Sequence, residues 1–114
     1  MIAVIFEVEP REGRQPDYLA LAATLAEELR GMDGFISVER FASLSTPGKL
    51  LSLSIWRDEA ALAAWRNLPA HRAAQRAGRA GIFAGYRIRV AQVLRDYTLT
   101  SRAEAPPDSR AAHR

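Results

Sequence analysis

At 114 residues the chain has the length of one domain, and 48% hydrophobic residues give it enough apolar material to bury a core. It has no cysteine, which excludes disulfides, thiolate chemistry and cysteine-ligated metal, and no apolar run approaches a membrane-spanning helix. The net charge of +3 conceals an asymmetry: residues 1–56 hold five bases and eight acids, whereas residues 57–95 hold eight arginines and two acids.

The opening stretch IAVIFEVEP, 2–10, is rich in β-branched residues and stops at Pro10, so it predicts a strand. The N-terminus turns acidic too soon for a signal peptide, and the cytoplasm is the expected location. PDYLALAATLAEELRG, 16–31, predicts a helix: Pro16 suits its first turn, Tyr18, Ala22, Leu25 and Leu29 form one apolar stripe, and Gly31 suits its end. Asp33-Gly34 turns the chain into a second strand, FISVERFASL, and Thr46-Pro47-Gly48-Lys49 folds that strand back onto KLLSLSIW. A short helix follows from Asp58, Pro69 restarts the chain as a second helical segment, and YRIRVAQVLRDYTL, 86–99, predicts the last strand. Beyond it, TSRAEAPPDSRAAHR lacks large apolar residues, so the expected division is a domain over 1–98 and a disordered tail over 99–114.

The order β-α-β-β-α-β predicts an α+β, ferredoxin-like fold with an antiparallel sheet and both helical segments on one face. Alternation puts Ile2, Val4, Phe6 and Val8 on one side of the first strand, with Ala3 and Ile5 on the other. On the third strand Leu51, Leu53 and Ile55 oppose Leu50, Ser52, Ser54 and Trp56. Both sheet faces are too apolar for water; one takes the helices, and the other is expected to meet a second copy of the sheet in a homodimer. On that second face Glu7 and Glu9 should pair with Arg87 and Arg89 of the neighbouring strand.

The run LSIWRDEAALAAWRNLPAHRAAQ, with DGFISVERF before it and YRIRVAQVLRDY after it, resembles the antibiotic biosynthesis monooxygenase superfamily of dimeric α+β barrels. The resemblance covers about residues 1–98, and its most specific part is the strand-end Trp56 followed by Asp-Glu-Ala and a second tryptophan, Trp65. It implies a homodimer, a pocket between helices and sheet for a small hydrophobic or aromatic molecule, and, in the polyketide-oxygenase branch, oxidation without a bound cofactor. In the haem-degrading branch a histidine ligand follows the second tryptophan by ten positions, where this chain has Gln75, and a strand asparagine falls near Phe6. In the polyketide branch an asparagine precedes the strand-end tryptophan by four, where this chain has Ser52.

The expected substrate-contacting set is therefore Phe6, Ser52, Ser54, Trp56, Trp65 and Gln75. His71 is the expected catalytic base, because an imidazole with an unperturbed pKa near 6.5 accepts a proton at neutral pH. Each has a plainer reading: core packing for the tryptophans, bonding to neighbouring backbone for the serines, and a surface position in an arginine-rich helix for His71. No metal site is expected, since the second histidine, His113, lies in the tail. Nucleic acid is not an expected partner either. A sheet that stacks bases needs aromatic residues on its open face, and this one offers Leu51, Leu53 and Ile55. A non-catalytic dimer that binds a small hydrophobic ligand is the alternative function.

Overall fold

The computed structural model describes residues 1–112, Ala70 by its backbone alone; His113 and Arg114, the end of the expected tail, lie outside them. In chain order the elements are β1 (Ile2–Pro10), α1 (Gln15–Arg30), β2 (Phe35–Ala42), β3 (Leu50–Trp56), α2 (Glu59–Arg66), α3 (Pro69–Ala77), β4 (Phe83–Gln92) and α4 (Pro107–Ala112). A single π-helical turn, Gly78–Ile82, joins α3 to β4; the Phe83 N–H reaches back five residues to the Gly78 carbonyl. The sheet order β2-β3-β1-β4, antiparallel at each contact, is that of the ferredoxin-like fold.

Local chemistry explains the boundaries. The Lys49 N–H bonds to the Thr46 carbonyl at 3.2 Å with Pro47 second and Gly48 third in the turn, and Gly48 takes a φ of +83° that a side chain would resist. Asp58 opens α2 by accepting the Ala61 N–H at 2.8 Å, satisfying one of the donors that every helix start leaves free. Beside it the Arg57 guanidinium takes both Asp33 oxygens at 3.1 Å, holding that carboxyl below its usual range. The pair is exposed and adds little stability, but it fixes the entry to α2 against the β2 turn. The last strand starts three residues earlier than the sequence predicts and leaves the ladder at Gln92, opposite Ile2, rather than at Leu99. Gly81, at a φ of +156°, ends the helical run and lets the strand begin at once. Beyond Gln92 the chain forms turns and the short α4, whose Arg110 side chain bonds to the Ala103 and Ala105 carbonyls.

All three longer helices lie on one face of the sheet. The core there falls into two buried clusters: Leu29, Trp56, Ala61, Leu62 and Trp65 at one end, and Val8, Tyr18, Leu50 and Ile82 at the other. On the opposite face Ala3, Ile5, Leu51, Leu53 and Ile55 stay partly exposed. Glu7 there pairs with Arg89 at 3.4 Å, as expected, and also with Lys49 at 3.7 Å, whereas Glu9 and Arg87 form no ion pair among the described residues. Among the described residues no helix is long and apolar enough to cross a membrane.

Candidate functional site

Between the two core clusters lies a cavity of about 400 Å³, within the size range of small-molecule sites. Its floor is the helix-side face of the sheet, and the strand register sets that floor out in rows. One row runs Arg40, Ser52, Phe6, Ile88, and the next runs Val38, Ser54, Val4, Val90. Its roof comes from α1 through Tyr18, Leu21, Ala22, Leu25 and Leu29, and from α2 and α3 through Leu62, Trp65, His71, Ala74 and Gln75. Tyr18, Phe83 and Tyr86 surround Phe6 with ring centroids 5.9 to 6.4 Å away, closing one end with aromatic edges.

Six of the seven expected site residues line this cavity: Phe6, Ser52, Ser54, Trp65, His71 and Gln75. Trp56 does not. It is fully buried, packs edge-on against Phe35 at 5.4 Å, and donates its indole N–H to Ser54 Oγ at 3.0 Å. Alternation put Trp56 on the correct face, but it pairs with Ile2 at the end of the sheet, where the first core cluster covers it. Its function is to support Trp65, 6.2 Å away, and to hold the Ser54 hydroxyl.

His71 stacks on Trp65 at 4.6 Å between centroids and 24° between planes. Its Nδ1 lies 3.2 Å from the Trp65 carbonyl oxygen. A carbonyl only accepts, so Nδ1 carries the proton in this bond and Nε2 keeps its lone pair. Pro69 restarts the helix after Leu68 and so brings the ring back over Trp65. Burial is the largest influence on the imidazolium and holds its pKa below the ordinary 6.5; the Trp65 carbonyl opposes that, and Arg72 and Arg66 add to the lowering. At neutral pH the ring is therefore a neutral base in a largely apolar enclosure. Gln75 receives the Arg72 guanidinium on its amide oxygen at 2.9 Å, which orients its NH2 group as a donor available to a ligand.

Sequence reasoning missed the arginines of the wall, Arg40, Arg66, Arg72 and Arg79, and the aromatic end formed by Tyr18, Phe83 and Tyr86. The excess of eight arginines over two acids in residues 57–95 was the available signal, and it gave no position for any one of them. Among the described residues no three His, Asp or Glu side chains gather as a metal-ligand group.

A family model described as antibiotic biosynthesis monooxygenase matches residues 1–77. The chain is similar to a Pyricularia oryzae protein named jasmonate monooxygenase ABM, 48% identical over 93 residues, which make up 82% of this chain and 43% of that protein. It thus spans less than half the length of that relative. Among solved structures it is similar to Rv0793 of Mycobacterium tuberculosis, at TM-score 0.76 and 22% identity over 85% of this chain and 98% of that one. It is also similar to an asparagine-to-alanine mutant of SnoaB, a cofactor-independent oxygenase from Streptomyces nogalater. That likeness has TM-score 0.72 and 13% identity over 87% of this chain and 96% of the other. At those identities the two structures establish the fold alone.

Proposed function

The chain belongs to the antibiotic biosynthesis monooxygenase family, and from that premise we propose that it oxygenates an aromatic or quinol-type small molecule without a bound cofactor. One observation carries the reading: a neutral imidazole with a free Nε2 lone pair walls an apolar cavity large enough for such a molecule. His71 takes a proton from a substrate hydroxyl or activated C–H, and the resulting anion gives one electron to dioxygen. The radical and the reduced oxygen combine at a substrate carbon that still carries a hydrogen. His71 returns its proton to the peroxide, the carbon loses that hydrogen as a proton, and the O–O bond breaks, one oxygen staying as a carbonyl and the other leaving as water. The substrate supplies both electrons, so no further reductant is needed. Trp65 and Phe6 provide the walls, and Ser52, Ser54 and Gln75 hold substrate oxygens.

We infer also that a second copy covers the open sheet face, where Ile5, Leu51, Leu53 and Ile55 lie partly exposed in the isolated chain.

The test is oxygen uptake by purified protein with an anthrone or dihydroxynaphthalene, measured against a buffer blank and heat-denatured protein. Activity should rise with pH through a value below 6.5, because only the neutral ring accepts a proton. His71→Ala should lower turnover by about a hundredfold or more, the usual size of a general-base contribution. A variant rate equal to wild type from about pH 5 to 9, a range that brackets histidine titration, removes the base assignment. If no substrate of this class outruns the blank, the non-catalytic ligand-binding reading takes its place.

A further inference from the structure

The cavity wall is one-sided in charge. Among the described residues lining it there are four arginines, Arg40, Arg66, Arg72 and Arg79, and no aspartate or glutamate. The ion pairs of the described residues go elsewhere, through Arg14, Arg30, Lys49, Arg57 and Arg89. Arg72 donates to Gln75 and Asn67, and Arg79 reaches the Tyr86 hydroxyl at 3.4 Å, all neutral partners.

Arg40 differs from the other three. They are exposed, whereas Arg40 is partly buried on the floor, and its Nε is shut off from solvent with no hydrogen-bond partner. An unmade bond from a buried N–H is a standing cost. Its cross-strand neighbour is Ser52, which also lines the cavity.

We propose that the ligand of this cavity is an apolar molecule bearing one carboxylate, seated on the Arg40 fork and the Ser52 hydroxyl. This deepens the reading of the cavity as a substrate site and rests on it. A guanidinium presents parallel N–H groups that a carboxylate accepts pairwise. The Arg40 Nε, closed to solvent in the unliganded chain, joins that pair when the side chain turns toward the ligand, a movement that no existing Nε bond opposes. The floor offers one partly buried cation, which a single carboxylate matches in charge and in fork geometry. The three exposed arginines raise the potential around the opening and draw an anion inward.

Binding, measured apart from turnover, is the test. The probes are 6-hydroxy-2-naphthoate and its methyl ester, which share a ring system and differ in the charge, titrated by their fluorescence at about 0.15 M salt, which screens the exposed arginines. The acid should bind at least tenfold tighter than the ester. Arg40→Met should abolish that preference while leaving the Kd of the ester within about twofold, and a thermal melt checks that the variant is folded. Should Arg40→Met not fold, the wild-type comparison alone decides. Equal affinity for the two probes, no binding of the acid, or an acid preference that survives in Arg40→Met overturns the proposal. A preference for the acid with no oxygen uptake above the blank would leave this assignment standing and remove the oxygenase reading; turnover of both probes with equal affinity would do the reverse.

Discussion

Gly78→Ala sets two effects of opposite sign against each other at the wall of the cavity. Gly78 is helical, at φ −59° and ψ −47°, a conformation in which alanine is favoured over glycine by about 1 kcal/mol. An added Cβ, however, would sit 2.3 Å from Cε2 of Phe83 and 2.8 Å from its Cδ2 and Cζ. Ordinary contact requires the ring to move by roughly 1 Å, and overpacking of this kind costs about 1–3 kcal/mol. Phe83 is braced by Phe6, Tyr18 and Tyr86, with centroids 5.8 to 6.0 Å away, and the unfilled space beside it is the cavity it lines. The ring should therefore retreat into the cavity. The net loss is about 1 kcal/mol, or about 4–8 °C in Tm for a domain of this size. Affinity for 6-hydroxy-2-naphthoate should fall at the same time, because the displaced ring takes up ligand volume. Gly85→Ala, where an added Cβ meets nothing within 4 Å, is the control and should leave binding unchanged and Tm unchanged or slightly higher. A Gly78→Ala protein that melts higher than wild type and binds the probe as well would refute the bracing of Phe83.

Stability should carry the signature of His71. Its pKa in the folded chain lies below 6.5, so as pH drops under about 6.5 the unfolded chain takes the proton first and the folded state loses ground; above that pH the group contributes no slope. His71→Gln should flatten the urea midpoint between about pH 5 and 7.5, whereas identical curves for variant and wild type would contradict a depressed pKa. Asp33 and Asp58, lowered from 3.8, act at more acidic pH and leave this window clear. For the open sheet face, light scattering at micromolar concentration should give about twice the 12.6 kDa chain mass. Leu53→Glu should shift that mass to the monomer, and a monomeric wild type would sink the dimer reading.

The fold was legible because the boundaries from α1 to α3 are written in residues of special conformation or capping chemistry: Pro16, Asp33-Gly34, Pro47-Gly48, Asp58, Pro69. The faces were legible too, since a period of two on β1 and β3 sorts Phe6, Ser52 and Ser54 to the helix side without knowledge of the partner strands. Depth along a strand was not. Ser52, Ser54 and Trp56 share a face, yet only the two serines border empty space, because the covering helices seal the end of the sheet. Arg40 was hidden by a different cause. The ladder slips between Phe35 and Ser37, so Phe35 and Val38 both pack against the buried cluster although they differ in parity. Alternation counted forward from Phe35 would send Arg40 to the other face, and the strand gives no local sign of the irregularity. The end of β4 failed for a related reason: Val93, Leu94, Tyr97 and Leu99 look like strand residues, but pairing stops with Gln92 and the Val93 N–H bond to Met1.

Charge then limits how a substrate can sit. Proton transfer to His71 makes an imidazolium and a substrate anion together, and each arginine repels the first while attracting the second. Arg66 and Arg72 act directly on His71 and weaken it as a base. Such a site gains rate from its positive wall only where an arginine lies nearer the substrate oxygen than the imidazole does. Arg40, on the floor of the sheet, is not among the arginines that lower the His71 pKa, but on the proposed reading its charge is already balanced by the carboxylate. The oxygen that loses its proton is then left to a donor without net charge. Gln75 is that donor: its amide oxygen is held by Arg72, its NH2 remains for the ligand, and it lies one helical turn along α3 from His71. A dipole there stabilises the developing anion and, lacking net charge, adds far less than an arginine would to the cost of the imidazolium, so the reacting hydroxyl belongs at the α3 side of the cavity and the carboxylate at the sheet.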